Sequence, residues 1–322
     1  MAFLLLPTYL ILHLCAGFAL PYRRGFKPFF FVLVEVAGFD LERRLNRETR
    51  PQPVRFIRGT IVGLVMGGIG ALAGYEVMYI SHMSYGVVAE LLFLSLCINF
   101  MSPLKAVRQV LRHLGNNELP LSIAAVQPYL REPLDNADVH TVIRKTIEFI
   151  ALSLNQFLLA PVFWFLAAGP VGMSVYVTYA ALNQAFGLAD ERRRYFGRFV
   201  RVADRLLNII PAILGTALLA ASALFVSRSN PVRAVTTILR QGGLYHSSYS
   251  GWLIAALAGG LGVTLGGPVR YSADYVEEHP WIGPEGASAR LMPEDLSRAA
   301  LLQYVFAACV IGIVSGLVIL RA

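Results

Sequence analysis

The chain has 322 residues, of which 56% are hydrophobic and only 15% charged, with a formal net charge of +8. A soluble domain carries roughly 45–50% apolar and about 25% charged residues, so a soluble enzyme with one ordinary core is excluded. The apolar residues come in long uncharged runs over the whole length, with the basic residues in short segments between them; this predicts a single integral membrane unit over residues 1–322, oriented by its charges in a lipid bilayer, with no nucleic acid as partner.

Residues 1–22 carry no charge and are followed at once by Arg23, Arg24 and Lys27. A cleavable leader has the reverse order, so a retained first span is expected. The next uncharged runs, residues 59–75 and 91–104, are short for a bilayer of about 30 Å and are read as a packed hairpin ending near Glu76 and Glu90. Between Lys105 and Lys145 the spacing of Val107, Val110, Leu111 and Leu114 predicts an amphipathic helix, then a loop over residues 115–120 and a second helix from about Ala137.

Residues 149–189 are free of charge for 41 positions, enough for two crossings, or for one crossing and a re-entrant piece, with Gly169-Pro170 as the natural break. Residues 206–227 and 299–320, 22 uncharged positions each, are the clearest spans. Residues 241–269 are also uncharged but hold six glycines between Gly251 and Gly267. Such a segment either crosses or dips back, and any irregular backbone in it must be buried in protein or line a cavity. The expected fold is therefore an all-α, polytopic transmembrane helical bundle with cytoplasmic amphipathic helices and a glycine-rich C-terminal segment.

Of the 28 Lys and Arg, nine fall in residues 23–58, six in 105–145 and six in 192–205, which places these three loops in the cytoplasm by the positive-inside rule. Cys15, Cys97 and Cys309 are far apart within apolar stretches, so buried packing is expected rather than a disulfide or a metal site. No Walker loop, HExxH or paired CxxC is present. Candidate chemistry is carried instead by polar groups near membrane depth. Arg144 and Glu148 lie four apart at the mouth of a span and are either functional or a satisfied ion pair; Asp204 and Asn208 share a face in the same way. His246, Ser247 and Ser248 form a polar cluster before the glycines, suited to proton transfer, to phosphate or to a simple loop turn. Gly266 and Gly267 let backbone N–H groups approach a phosphate, or let helices approach each other.

The order and spacing of several elements resemble the CobD/CbiB family of cobalamin biosynthesis. In the C-terminal third these are Tyr245-His246-Ser247-Ser248, the run from Ala258 to Pro268, Tyr271, Pro280-Trp281-Ile282-Gly283 and Pro293-Glu294-Asp295-Leu296. Upstream, Glu42-Arg43-Arg44-Leu45-Asn46-Arg47 with Arg58-Gly59 resembles the family's ErrLNr and RG elements. Arg144-Lys145-Thr146-Ile147-Glu148 resembles RAxxE, and Ala160-Pro161-Val162-Phe163-Trp164 resembles APLFW. The resemblance implies a bacterial inner-membrane synthase that amidates adenosylcobyric acid with aminopropanol phosphate, giving adenosylcobinamide phosphate, with ATP and Mg²⁺ as cofactors and a corrinoid as substrate. It implies catalytic roles for Glu148, Asp204, Asn208 and His246, with Glu148, Asp204 and Asn208 carrying what remains of metal binding, and phosphate binding by Ser247, Ser248, Gly266 and Gly267.

The chain departs from the family pattern at acidic positions: Leu152, Gln156, Asn183, Arg205 and Ile254 stand where the family has carboxylates, Ile213 replaces a terminal Arg, Lys27-Pro28 stands for HP, and Arg131-Glu132 matches GRDT only approximately. These departures support a second reading, a catalytically depleted relative that binds a corrinoid, a nucleotide or a partner protein, in the manner of the AmpE type of signalling membrane protein.

Overall fold

A computed structural model of the chain describes residues 2–19, 27–83, 86–135, 137–245, 248–271 and 276–321. These residues build an all-α bundle. The helices are α1 (Ala2–Ala19), α2 (Phe29–Leu45), α3 (Gln52–Ile80), α4 (Gly86–Cys97), α5 (Met101–Gly115), α6 (Leu119–Val126), α7 (Val139–Leu154), α8 (Ala160–Phe186), α9 (Arg198–Ser222), α10 (Pro231–Gln241), α11 (Ser248–Leu261) and α12 (Pro293–Arg321). Five helical stretches are long and apolar enough to cross a membrane: Gln52–Ile80, Gly86–Gly115, Val139–Phe186, Arg198–Phe225 and Pro293–Leu320. The only strands among the described residues are two antiparallel pairs of two residues each, β1 (Leu265–Gly266) with β4 (Trp281–Ile282), and β2 (Val269–Arg270) with β3 (Val276–Glu277).

Helix α3 shows why the bundle belongs in lipid. Gly59, Gly63, Gly67, Gly70 and Gly74 recur at three or four residues and are buried, so they form one face. A Cβ at these positions would meet, in turn, the Phe196 carbonyl, the Phe199 ring, the Tyr179 hydroxyl, the Thr178 hydroxyl and the Ser174 hydroxyl. The backbones of α3, α8 and α9 therefore approach as closely as small residues permit. The opposite face exposes Ile61, Leu64, Val65, Ile69 and Leu72, which only an apolar solvent accommodates without cost. We predict that Gly67→Leu or Gly70→Leu destabilises the detergent-purified protein by about 1–3 kcal/mol through overpacking. Gly68→Leu, with open space around its Cβ, should melt like the parent.

The break at Gly169-Pro170 is a reversal. Ala168 and Gly169 leave helical geometry, and Gly169 has φ 63°. A Cβ on Gly172 would touch the carbonyl of Trp164, whereas eight residues of straight helix advance about 12 Å. The chain thus folds back on itself within α8. The glycine-rich segment divides into two parts: α11 is a regular helix buried among α7, α9, α10 and α12, and beyond Leu261 an irregular stretch begins at Gly262, φ +76°. In α11, Gly259 serves packing, since a Cβ there would run into α10 at the Arg233 carbonyl and Thr237.

Three expectations need correction. Residues 23–58 are not simply a loop: α2 fills their middle, with Gly38 against Leu182 and Ala185 of α8. Its Glu35 breaks the apolar run in the sequence but is satisfied locally by Lys27, Nζ to Oε1 2.8 Å. Arg144 does not pair with Glu148; its guanidinium lies over the Trp281 ring, 4.9 Å from the centroid. Cys15 is exposed and Cys309 half-buried, leaving only Cys97 buried as expected.

The three basic segments come together. Lys27, Arg131, Lys145, Arg194, Arg201 and Arg205, drawn from all three segments, line one cavity. Reporter fusions at Arg50, Gly115 and Arg194 are expected to read cytoplasmic, and a periplasmic signal at two of them would refute this orientation.

Candidate functional site

The cavity has a volume of about 470 Å³ and lies where α7, α8, α9 and α11 meet, under the irregular segment that carries the two strand pairs. Glu148, Asp204 and Asn208 line it together with Tyr245 and Tyr249. Two hydrogen-bonded groups organise its wall.

The first is centred on Asp204, 3% exposed. Its Oδ2 accepts from Asn183 Nδ2 at 2.8 Å and from the Tyr249 hydroxyl at 3.0 Å. Asn208, one helical turn on, donates through Nδ2 to the Asp204 carbonyl at 2.9 Å and to Oδ1 at 3.1 Å, so the expected shared face is used. The Asn208 amide oxygen then accepts from Asn155 Nδ2 at 2.8 Å and from Tyr176 at 3.2 Å. Asn155 opens a π-helical turn, Asn155–Leu159, between α7 and α8; the extra residue of such a turn changes the direction in which the helix presents its side chains. Four helices are tied through one carboxylate and one amide.

The second group is centred on Glu148. Its Oε2 accepts from Lys145 Nζ at 2.8 Å, and its Oε1 accepts from the backbone N–H of Gly266 at 2.8 Å. Gly266 has φ +87° and Gly267 φ +84°, a region closed to side chains at little cost; added Cβ atoms would strike the Pro280 carbonyl and the Trp281 ring respectively. The Gly266 N–H is thereby committed to Glu148, and the Gly267 N–H points back to the Pro280 carbonyl, 3.4 Å. His246 and Ser247 lie outside the described residues; Ser248 is the first residue of α11.

The rim adds residues with little signal in the sequence. Arg131 donates to Gln184 Oε1 at 3.0 Å and to the Asn183 carbonyl at 2.8 Å. His279 stacks on Tyr245, centroids 4.6 Å apart and planes 5° apart, with its Nε2 3.8 Å from Glu277 Oε2. Burial and the neighbouring Glu148 carboxylate push the Tyr245 hydroxyl well above its ordinary pKa, so it remains a neutral donor.

A family model described as the CobD/CbiB protein matches residues 22–303. The chain belongs to the CobD/CbiB family. It is 32% identical to a cobalamin biosynthesis protein CobD of Brucella anthropi over 218 residues, 67% of this chain and 66% of that protein. A CobD of Sinorhizobium sp is 30% identical over 269 residues, 81% of each chain, and one of Citrobacter koseri is 28% identical over 253 residues, 77% of this chain and 78% of the relative. No solved structure matches. The chain is thus a CobD-like membrane protein with kin in cobalamin biosynthesis.

The CobD/CbiB elements take two places in the fold. The ErrLNr element is a clamp away from the cavity: buried Glu42 accepts from Asn46 Nδ2 at 2.9 Å and pairs with Arg192 Nε at 3.1 Å, while Asn46 accepts from Arg55 Nε at 2.8 Å and donates to the Arg192 carbonyl at 2.8 Å. The departures from the family pattern gather instead on the cavity wall, where Lys27, Glu132, Leu152, Gln156, Asn183, Arg205 and Ile254 all appear. Ile213 lies elsewhere, in an apolar groove between α9, α10 and α11.

Proposed function

We propose that this chain acts in cobalamin biosynthesis at the bacterial inner membrane and that its cavity receives the two substrates the synthase joins, a carboxylate of adenosylcobyric acid and the phosphate-bearing amine aminopropanol phosphate. The observation that carries the reading is the wall's charge: six cations against the four carboxylates Glu132, Glu148, Asp204 and Glu277. Such a surface favours a ligand that brings phosphate and carboxylate groups. Arg131, whose contacts above are to neutral acceptors, supplies a planar donor fork for phosphate. Tyr245, kept protonated, supplies a neutral donor beside Glu148.

Amide formation from a carboxylate needs activation, and ATP, when bound, supplies the phosphoryl group for it. A resident Mg²⁺ fits the wall poorly. Both oxygens of Glu148 and both of Asp204 already accept from fixed donors, and among the described residues no cluster of three or more His, Cys, Asp or Glu forms a metal site. What the chain's own residues contribute is binding and orientation of the anionic groups.

The test is optical, because corrinoids absorb in the visible. Titrating adenosylcobyric acid into the protein in nanodiscs should shift the corrinoid spectrum saturably, and Arg131→Ala should weaken binding about tenfold, the effect of losing one charged hydrogen-bonding group. No spectral change with the folded protein would refute the reading. A second reading, binding without turnover, is favoured by the neutral or basic residues Leu152, Gln156, Asn183, Arg205 and Ile254 on that wall.

A further inference from the structure

We infer that the ammonium of Lys145 stands in for a resident divalent cation, so that the cavity of this chain operates without a metal of its own. The inference refines the site proposed above and rests on it only for the identity of the cavity. Lys145 is 4% exposed, and its Nζ sits between two carboxylates, 2.8 Å from Glu148 Oε2 and 3.7 Å from Glu132 Oε1. A carboxylate pair facing a cavity is the usual protein share of a Mg²⁺ site, whose remaining ligands come from water and phosphate. Here the space between the pair already holds a positive charge tethered to α7, and a divalent ion at coordination distance from both carboxylates would lie against that ammonium.

The chain's own pattern points the same way. In the RAxxE element, Lys145 occupies the position of the alanine, so the ammonium is a departure of this chain from that pattern. It accompanies the loss of carboxylates at Leu152, Gln156, Asn183, Arg205 and Ile254, all on the same wall. One change adds a fixed cation between two acids, and the others remove acids that a mobile cation would need. The remaining buried acid, Asp204, is held by Asn183, Tyr249 and Asn208. Donors built into the fold thus take over the neutralising role from exchangeable ions.

The experiment uses the full chain in nanodiscs with Mn²⁺ alone as probe, free Mn²⁺ being counted by electron paramagnetic resonance. The parent should retain no Mn²⁺ at 1:1 stoichiometry. Lys145→Ala should bind one Mn²⁺ at least 100-fold more tightly than the parent, and Lys145→Ala combined with Glu148→Gln should lose it again. Lys145→Met preserves the volume of the stem and carries the same expectation should the alanine variant fail to fold. One Mn²⁺ held by the parent and released by Glu148→Gln would overturn the inference, and so would a folded Lys145→Met protein that binds none. Corrinoid titration of the same samples reads the proposed function separately, since it scores the ligand and not the ion.

Discussion

Asp204→Ala is expected to destabilise the purified protein by about 2 kcal/mol and to abolish ligand binding at the cavity. The substitution strands Asn183 Nδ2 and the Tyr249 hydroxyl and takes one of two acceptors from Asn208. Each stranded buried donor costs about 1–3 kcal/mol, partly offset by release of the carboxylate's own desolvation penalty. Asp204→Asn keeps the shape and one acceptor oxygen, so its loss should be less than half as large. Thermal unfolding in detergent reads both variants. An alanine variant that melts like its parent would mean that the four helices do not depend on this carboxylate.

The second large effect concerns turnover. Expressed in a bacterium that lacks its own synthase of the CobD/CbiB family, the chain should restore growth on cobyric acid poorly or not at all. Neutral side chains at Leu152, Gln156, Asn183 and Ile254 bring no charge to an ATP-bound metal, and loss of ligands or of their supporting groups commonly costs 10–100-fold in metal affinity or activity. Full complementation that Asp204→Ala abolishes would show that the surviving carboxylates suffice and would reject binding without turnover.

The membrane class and the two clearest spans, residues 206–227 and 299–320, were legible because a bilayer demands about 20 apolar residues. The runs 59–75 and 91–104 looked short because their helices, Gln52–Ile80 and Gly86–Gly115, continue through charged residues. The reversal at Gly169 was legible for a related reason, since proline after glycine in an uncharged run has few other uses. Asp204 with Asn208 could be paired from helical spacing alone. Helix α2 escaped because Glu35 and Asp40 interrupt its apolar pattern, and because the residues that its Gly38 packs against, Leu182 and Ala185, lie far along the chain. Lys145 escaped because its neighbour Arg144 offers the textually better i, i+4 pairing with Glu148; Trp281, 137 positions later, draws Arg144 away. Tyr176, Tyr249 and His279 carry no periodic signature at all. Their roles arise from a reversal, a helix start and a strand pair that bring distant segments to one wall.

The clamp formed by Glu42, Asn46, Arg55 and Arg192 has a consequence for biogenesis. Asn46 and the Arg192 carbonyl are 146 residues apart in sequence. At about 5–20 residues per second of synthesis, the segment holding α2 and α3 precedes its last partner by roughly 7–30 s. Through that interval the Glu42 carboxylate and the Arg55 guanidinium, buried in the finished protein, have only Asn46 and the water at the membrane boundary to satisfy them. The N-terminal hairpin therefore enters the bilayer as an open half of the molecule. Arrival of the segment after α8 closes it, so the last basic turn of the chain to be made at this end also completes the fold of the first.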